Sequence, residues 1–398
     1  MLRVGTGQSS NSSTAQAVEE AAGQAMTSAG LSQADFVLVF FTVDHVPNRQ
    51  ELLTGLRQIS KTDRIVGCSG VGVLTEEGEI EGKPGIAVLV LSSDRIKTYP
   101  FLFHPLRERD REVGDELAQT IRGKSEQDSL LALFVDAYNG SPGTILQEVG
   151  EHFGFLPVVG AGCSENGSQG RTYQLFQEQF TSNALSGLFL TGSFNSSIGV
   201  TQGCQPVSEP MVITKAQENL IFEINNQSAF EVFADTIKKP LLADLRRALS
   251  FIFVGLPSDP RQNSVGPGEY LVRNIVGLDQ GKGILAVGEN VRKGEQMIFA
   301  LREGQRARED LDQMLQRQLE NLGGRTPQLG LYFNCCARGT SLYGIPGIDT
   351  AYIHRALGDV PLIGFFGNFE LGPVGHKNHL LAYTGVLALI TEKTETEI

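Results

Sequence analysis

Three times along this chain a block of consecutive apolar residues is followed by an amphipathic stretch and a second apolar block that ends on glycine. The block pairs are 35–41 with 64–70, 130–135 with 157–165, and 329–334 with 361–367. Short, fully apolar blocks bounded by turn residues read as buried strands, and the stretch between them reads as a helix. From strand start to glycine the spacing is 31 residues (36 to 67), 30 (130 to 160) and 35 (329 to 364). Gly67, Gly160 and Gly364 therefore hold matching positions, where glycine permits a tight turn or a close backbone approach. The gaps between copies are too unequal for a solenoid. Strand ends followed by glycines are where α/β proteins hold ligands, and matching turns can meet around one pocket.

Around these blocks the pattern predicts further elements. Residues 15–29 are alanine-rich behind the Ser12, Ser13 and Thr14 cluster and read as a helix. The runs 86–91 and 96–103, separated by 92–95, predict a hairpin. Residues 109–122 form a polar-faced helix. The second copy continues with strands at 173–180, 184–190 and 197–201. The turn-rich segment 203–210 marks a boundary, which divides the chain into domains 1–210 and 211–398. The second domain reads as helices at 228–237, 241–249 and 306–322, with Leu311, Met314, Leu315 and Leu319 on one face of the last. Its strands are expected at 251–256, 270–278, 284–287, 296–301 and 383–390, and a frayed tail at 391–398. The fold class is α/β: two related domains of mixed sheets covered by helices, containing duplicated β-α-β-β units. A four-layer sandwich and one long sheet per half both satisfy the pattern.

Charge and cysteine content narrow the function classes. A formal net charge of −12 opposes binding to a phosphate backbone, and no basic stripe with interleaved aromatics is present, so no nucleic-acid partner is expected. Five cysteines (Cys68, Cys163, Cys204, Cys335, Cys336) are an odd number without paired CxxC spacing, which argues against both a disulfide framework and a zinc site. No apolar signal region opens the chain and no apolar run reaches bilayer length, so a cytoplasmic, reduced protein without membrane insertion is expected.

The candidate chemistry lies after the repeated strands. Arg338 follows the third lead strand and suits bidentate capture of a carboxylate. Glu165 and Glu370 each follow a glycine-bearing strand end, where a carboxylate can hold an ammonium group. Arg338 with Glu370 would offer complementary charges to a zwitterion; the competing reading is a structural ion pair. Cys335 and Cys336 are either core fillers or reactive thiols, the latter requiring a neighbouring base. The ligand-binding set is Cys163, Glu165, Cys335, Cys336, Arg338, Gly364, Asn368 and Glu370. No catalytic residue and no metal ligand is assigned. His376 and His379, three apart in a loop, are either solvated or haem or metal ligands.

Several of these segments resemble the FIST family. Residues 333–339 followed by 362–373 resemble the C-terminal FIST domain, whose pattern is an apolar strand, Cys-x-Gly-Arg and then Gly-Phe-x-x-x-Gly-Glu. Residues 270–277 look like its Arg-Asn strand, and Gly203-Cys204 with Pro206 and 212–215 like its junction. Residues 65–70 resemble the N-terminal FIST domain. Ala337 and Phe369 stand where the family has glycines. The resemblance implies a non-catalytic sensory protein that binds an amino acid or similar small charged metabolite in a cleft between domains and signals through a separate protein such as a histidine kinase. It leaves open a haem-bearing nitric-oxide or redox sensor, and the cysteines leave open a cysteine-dependent enzyme.

Overall fold

A computed structural model describes residues 1–237, 244–259, 261, 263–266 and 268–393. The chain divides into two units that do not follow chain order: residues 1–200, 311–380 and 385–398 form the first, residues 201–310 and 381–384 the second. The chain has a mixed α/β architecture: the first unit holds several mixed sheets, and the second is built on one antiparallel sheet. No described helix is long and apolar enough to cross a membrane.

The first unit holds three six-stranded sheets, each built around a parallel pair. Phe36–Phe41 pairs with Ile65–Ser69, Asp128–Asp136 with Val158–Cys163, and Leu329–Cys335 with Leu362–Gly367. The first sheet runs Arg3–Ser9, Ile86–Ser92, Phe36–Phe41, Ile65–Ser69, Gln174–Phe176, Gln179–Thr181. The second runs Ile96–Phe103, Leu185–Gly192, Asp128–Asp136, Val158–Cys163, Glu370–Val374, Lys377–Leu381. The third runs Phe194–Gln202, Thr384–Glu392, Leu329–Cys335, Leu362–Gly367, Gly72–Thr75, Gly78–Glu81. All three share one strand order. In each, the outer hairpin comes from a different stretch of chain: 174–181 completes the first sheet, 370–381 the second and 72–81 the third.

This topology corrects one expectation. Ile86–Ser92 and Ile96–Phe103 do not form a hairpin. The first pairs with Arg3–Ser9 and Phe36–Phe41, the second with Leu185–Gly192. The short polar link carries the chain from one sheet to the next, and each run pairs there along nearly its whole length. Residues 241–243 of the expected helix 241–249 lie outside the described residues, as do 394–398 of the tail; Leu245–Ala248 is helical.

Strand alternation gives each sheet two buried faces. The outer face packs against helices: Thr14–Ser28 and Arg49–Ser60 on the first sheet, Asp110–Arg122 and Pro142–Phe153 on the second, Gly304–Leu322 and Ile348–Leu357 on the third. The inner faces meet through Phe40, Phe134 and Phe333, which occupy matching positions on the three lead strands. Their ring centroids lie 5.2 Å (Phe40 to Phe134), 5.9 Å (Phe134 to Phe333) and 6.3 Å (Phe40 to Phe333) apart. Aromatic pairs at such separations add about 0.5–1.5 kcal/mol per pair beyond the apolar area removed from water.

The second unit contains a closed six-stranded barrel. Gln296–Arg302, Met211–Gln217, Leu220–Ile224, Ile284–Val287, Tyr270–Asp279 and Ile252–Pro257 pair in turn, and the last pairs back with the first. Closure leaves no free edge among these strands. Ile213, Ile224, Val254, Leu285 and Phe299 fill its core, with Phe233 of the helix Ala229–Thr236.

Candidate functional site

The three glycines that the sequence singles out sit opposite matching residues of the lead strands: Gly67 opposite Val39, Gly160 opposite Leu133, Gly364 opposite Tyr332. A Cβ at these positions would come within 1.8, 2.0 and 1.7 Å of the facing carbonyl oxygens. They are close-packing glycines inside strands rather than phosphate-cradling turns.

The turns that follow these strands come together. The Ser164 amide donates to Ser69 O at 3.2 Å, and the Ser69 hydroxyl donates to Ser164 O at 3.0 Å. The Ser164 hydroxyl in turn accepts from the Val71 amide at 2.8 Å and donates to the Phe366 carbonyl. The Asn368 amide donates to Gly162 O at 2.9 Å, the Gly162 amide to Phe369 O at 2.8 Å and the Cys336 amide to Gly367 O at 2.8 Å. One turn from each sheet is thus knitted to the others by backbone and serine hydrogen bonds.

Six of the eight predicted residues sit in or beside this junction, and Gly364 lies within the strand Leu362–Gly367 that leads to it. Cys336 and Asn368 are exposed on it. Glu165 is half-buried. Burial raises its pKa, but the Gln169 amide (2.9 Å) and the Tyr138 hydroxyl (2.9 Å) outweigh that and hold the carboxyl below its ordinary range. Cys163, Cys335, Gly364 and Glu370 are buried. Cys335 pairs with Gly367, and Glu370 lies opposite Ala161. Cys163 accepts from the Gln174 amide nitrogen Nε2 at 3.3 Å and lies close to Cys68, whose thiol is pushed well up by burial and then by Cys163.

Arg338 is turned away from this junction. It is wholly buried and makes a bidentate pair with Asp349, Nε to Oδ2 and Nη2 to Oδ1, both at 3.0 Å. The expected ion pair forms, with Asp349 in place of Glu370. Asp349 also accepts from the hydroxyls of Tyr332 (2.9 Å) and Tyr343 (2.7 Å) and from Asn334 Nδ2 (2.9 Å). Burial works against the Asp349 charge, but Arg338 and these donors outweigh it and keep the carboxyl ionised. Burial likewise works against the Arg338 charge, and the same carboxylate outweighs it and raises the Arg338 pKa. The guanidinium is therefore committed to Asp349, and a ligand would have to displace that carboxylate to reach it.

Two further carboxylates flank this pair. Glu79 accepts from the amides of Gly347 (2.9 Å) and Thr350 (3.1 Å), closing the N-terminus of the helix Ile348–Leu357. Glu81 accepts from the Thr340 amide at 3.0 Å, at the start of the helix Gly339–Tyr343. Burial, then the nearby Asp349 charge, pushes Glu79 up to about 7 against the pull of those amides. Burial raises Glu81 as well. The sequence reading missed Asp349, Tyr343, Glu79 and Glu81. The available signal was the alternation in Gly78–Glu81, which puts both glutamates on one face of a strand.

No group of three or more His, Cys, Asp or Glu side chains among the described residues is arranged to hold a metal ion. The cavities described are lined by other residues, the roomiest of them in the second unit.

Residues 35–227 match the FIST N domain and residues 229–373 the FIST C domain. Among curated proteins, "Uncharacterized protein Rv0628c" of Mycobacterium tuberculosis is 25% identical over 391 residues, covering 98% of this chain and all of that one. "Uncharacterized protein Mb0898c" of Mycobacterium bovis is 26% identical over 395 residues, covering 99% of this chain and all of that one. Among solved structures, a cyanuic acid hydrolase from A. caulinodans matches 99% of this chain and 100% of its own, at 10% identity and a TM-score of 0.40, a likeness too loose to bear on chemistry.

Proposed function

The chain belongs to the FIST family, and on that premise we propose that it is a sensory protein of signal transduction that binds a small ammonium-bearing ligand, an amino acid or similar metabolite, where the three turns meet. The observation that carries this reading is the family match across both domains, because FIST domains are in general sensory modules. The shared strand order of the three sheets supports descent from one duplicated unit, whose matching turns then contribute to one site.

Within that site the reachable groups are Glu165, Asn368 and Cys336. Glu165 supplies an ionised carboxylate and Tyr138 a hydroxyl beside it. Arg338 and Asp349 act as positioning residues that fix the segment leading from Cys336 to the helix Ile348–Leu357. The bound ligand is read out by a separate signalling protein, such as a histidine kinase, through the populations of the turn conformations. No reaction is catalysed.

Thermal-shift screening of the standard amino acids and simple organic acids tests this. At least one amino acid is expected to raise Tm in a concentration-dependent way, and Glu165→Gln to reduce the shift. No shift with any compound, or an equal shift in Glu165→Gln, would end the proposal.

A further inference from the structure

The second unit carries a cavity of about 910 Å3 that none of the candidate residues above touches. Val207 and Pro210 line it from the loop before the strand Met211–Gln217, Ile237 from the end of the helix Ala229–Thr236, and Ile252 and Ile298 from adjacent barrel strands. Its size lies within the roughly 300–1,000 Å3 of small-molecule pockets, and a mainly apolar wall with few polar groups is what such pockets share.

The polar groups of the wall are unequal. Arg306 is already balanced: its Nε lies 3.3 Å from Glu303, and its Nη1 donates to Pro206 O at 3.2 Å. The Ser208 hydroxyl oxygen accepts from the Phe299 amide at 2.9 Å, which leaves its own proton for a ligand. Glu209 has neither an ion-pair nor a hydrogen-bond partner among the described residues. One exposed carboxylate without a partner among the described residues therefore borders a mainly apolar cavity, in a chain whose net charge of −12 concentrates cations around it.

We propose that this cavity is a second binding site, for an amphipathic ammonium compound: an apolar ring or chain seated against Ile252, Ile298 and Val207, with its cationic nitrogen at Glu209. A carboxylate of the same shape would meet Glu209 as a like charge. A zwitterionic amino acid would bring a second charge whose counterpart among the described lining residues, Arg306, is already paired with Glu303, so this site disfavours the ligand class proposed for the turn junction.

Titration calorimetry on the full chain with 2-phenylethylamine, 3-phenylpropionate and benzyl alcohol distinguishes the outcomes. The amine is expected to bind saturably and at least ten-fold more tightly than the other two. Glu209→Gln, a change at an exposed position, is expected to weaken the amine at least ten-fold while Tm stays unchanged. Val207→Trp, which places the chain's only indole in the cavity, should abolish binding of all three, with circular dichroism confirming the fold. Failure of the amine to bind, equal or tighter binding of the carboxylate, or amine binding indifferent to both substitutions would overturn the proposal. Glu165→Gln should leave amine binding intact, so loss of the turn-junction reading and loss of this one are separately visible.

Discussion

A methyl group at Gly364 would sit 1.7 Å from the carbonyl oxygen of Tyr332, and at Gly67 1.8 Å from that of Val39. The obstacle is backbone in the middle of a sheet, which cannot step aside. Gly364→Ala and Gly67→Ala are each expected to cost about 3 kcal/mol, at the upper end for overpacking, read as a lower denaturation midpoint. Gly23 is the control. It lies within the helix Thr14–Ser28, where an added methyl group meets nothing within 4 Å, so Gly23→Ala should stabilise by about 0.5–1 kcal/mol. Arg338 and Asp349 make a second residue-scale case. Arg338→Met leaves a buried carboxylate without its counter-charge and should cost about 3–5 kcal/mol, whereas Arg338→Met with Asp349→Leu should cost clearly less. Chemical denaturation of the two variants compares them directly. Arg338 was visible in the sequence as a residue with a task, but its partner was not. Linear order offers Glu370, behind a glycine motif, more prominently than Asp349, one of several polar residues near a helix start.

At the scale of elements, apolar blocks translated well into strands because the central residues of each lead strand are apolar and buried on both faces, with polar residues kept to the strand ends. The strand Arg3–Ser9 escaped for the opposite reason. Its sequence, RVGTGQS, has Val4 as its one large apolar residue, yet it needs its glycines. A Cβ at Gly5 or Gly7 would come within 2.2 or 2.3 Å of carbonyl oxygens of the alanine-rich helix Thr14–Ser28, which lies directly on the strand. The supposed hairpin 86–103 failed because a polar link between two strand-like runs says nothing about whether they share a sheet. The hairpin Gly72–Glu81 supplies an element-scale prediction. In the folded protein Glu79 keeps its proton up to about pH 7, whereas the unfolded chain releases it near its ordinary value of 4.5. Folding therefore takes up a proton between these values, and the Glu79 contribution to stability falls as pH rises from about 4.5 to 7. Glu81, also raised, acts in the same direction. Glu79→Gln should flatten the decline in Tm measured across that window; an unchanged slope would place the titration elsewhere.

For the whole molecule, the decisive feature is that no sheet of the first unit is made from one continuous stretch. The first sheet needs 174–181, the second 370–381, the third 72–81. Such dependence is invisible to a reading that treats each apolar block with its neighbours, which is why the sequence suggested two consecutive domains with repeated units but not the exchange among sheets. A fragment ending at residue 200 lacks both central strands of the third sheet and the Phe333 and Phe365 rings that contact Phe40 and Phe134. It is expected to show no cooperative thermal transition by circular dichroism, and mixing with residues 201–398 should restore one. A sharp melt for the fragment alone would mean that the sheets stand independently.

The exchange also sets a timetable for biosynthesis. Val73 pairs with Phe365, a residue that leaves the ribosome 292 positions later. At elongation speeds of about 5–20 residues per second the early hairpin waits on the order of 15–60 s with a backbone edge unsatisfied. During that interval the nascent chain presents the unpaired edge of Gly72–Thr75 to its surroundings, the kind of edge on which other strands can pair.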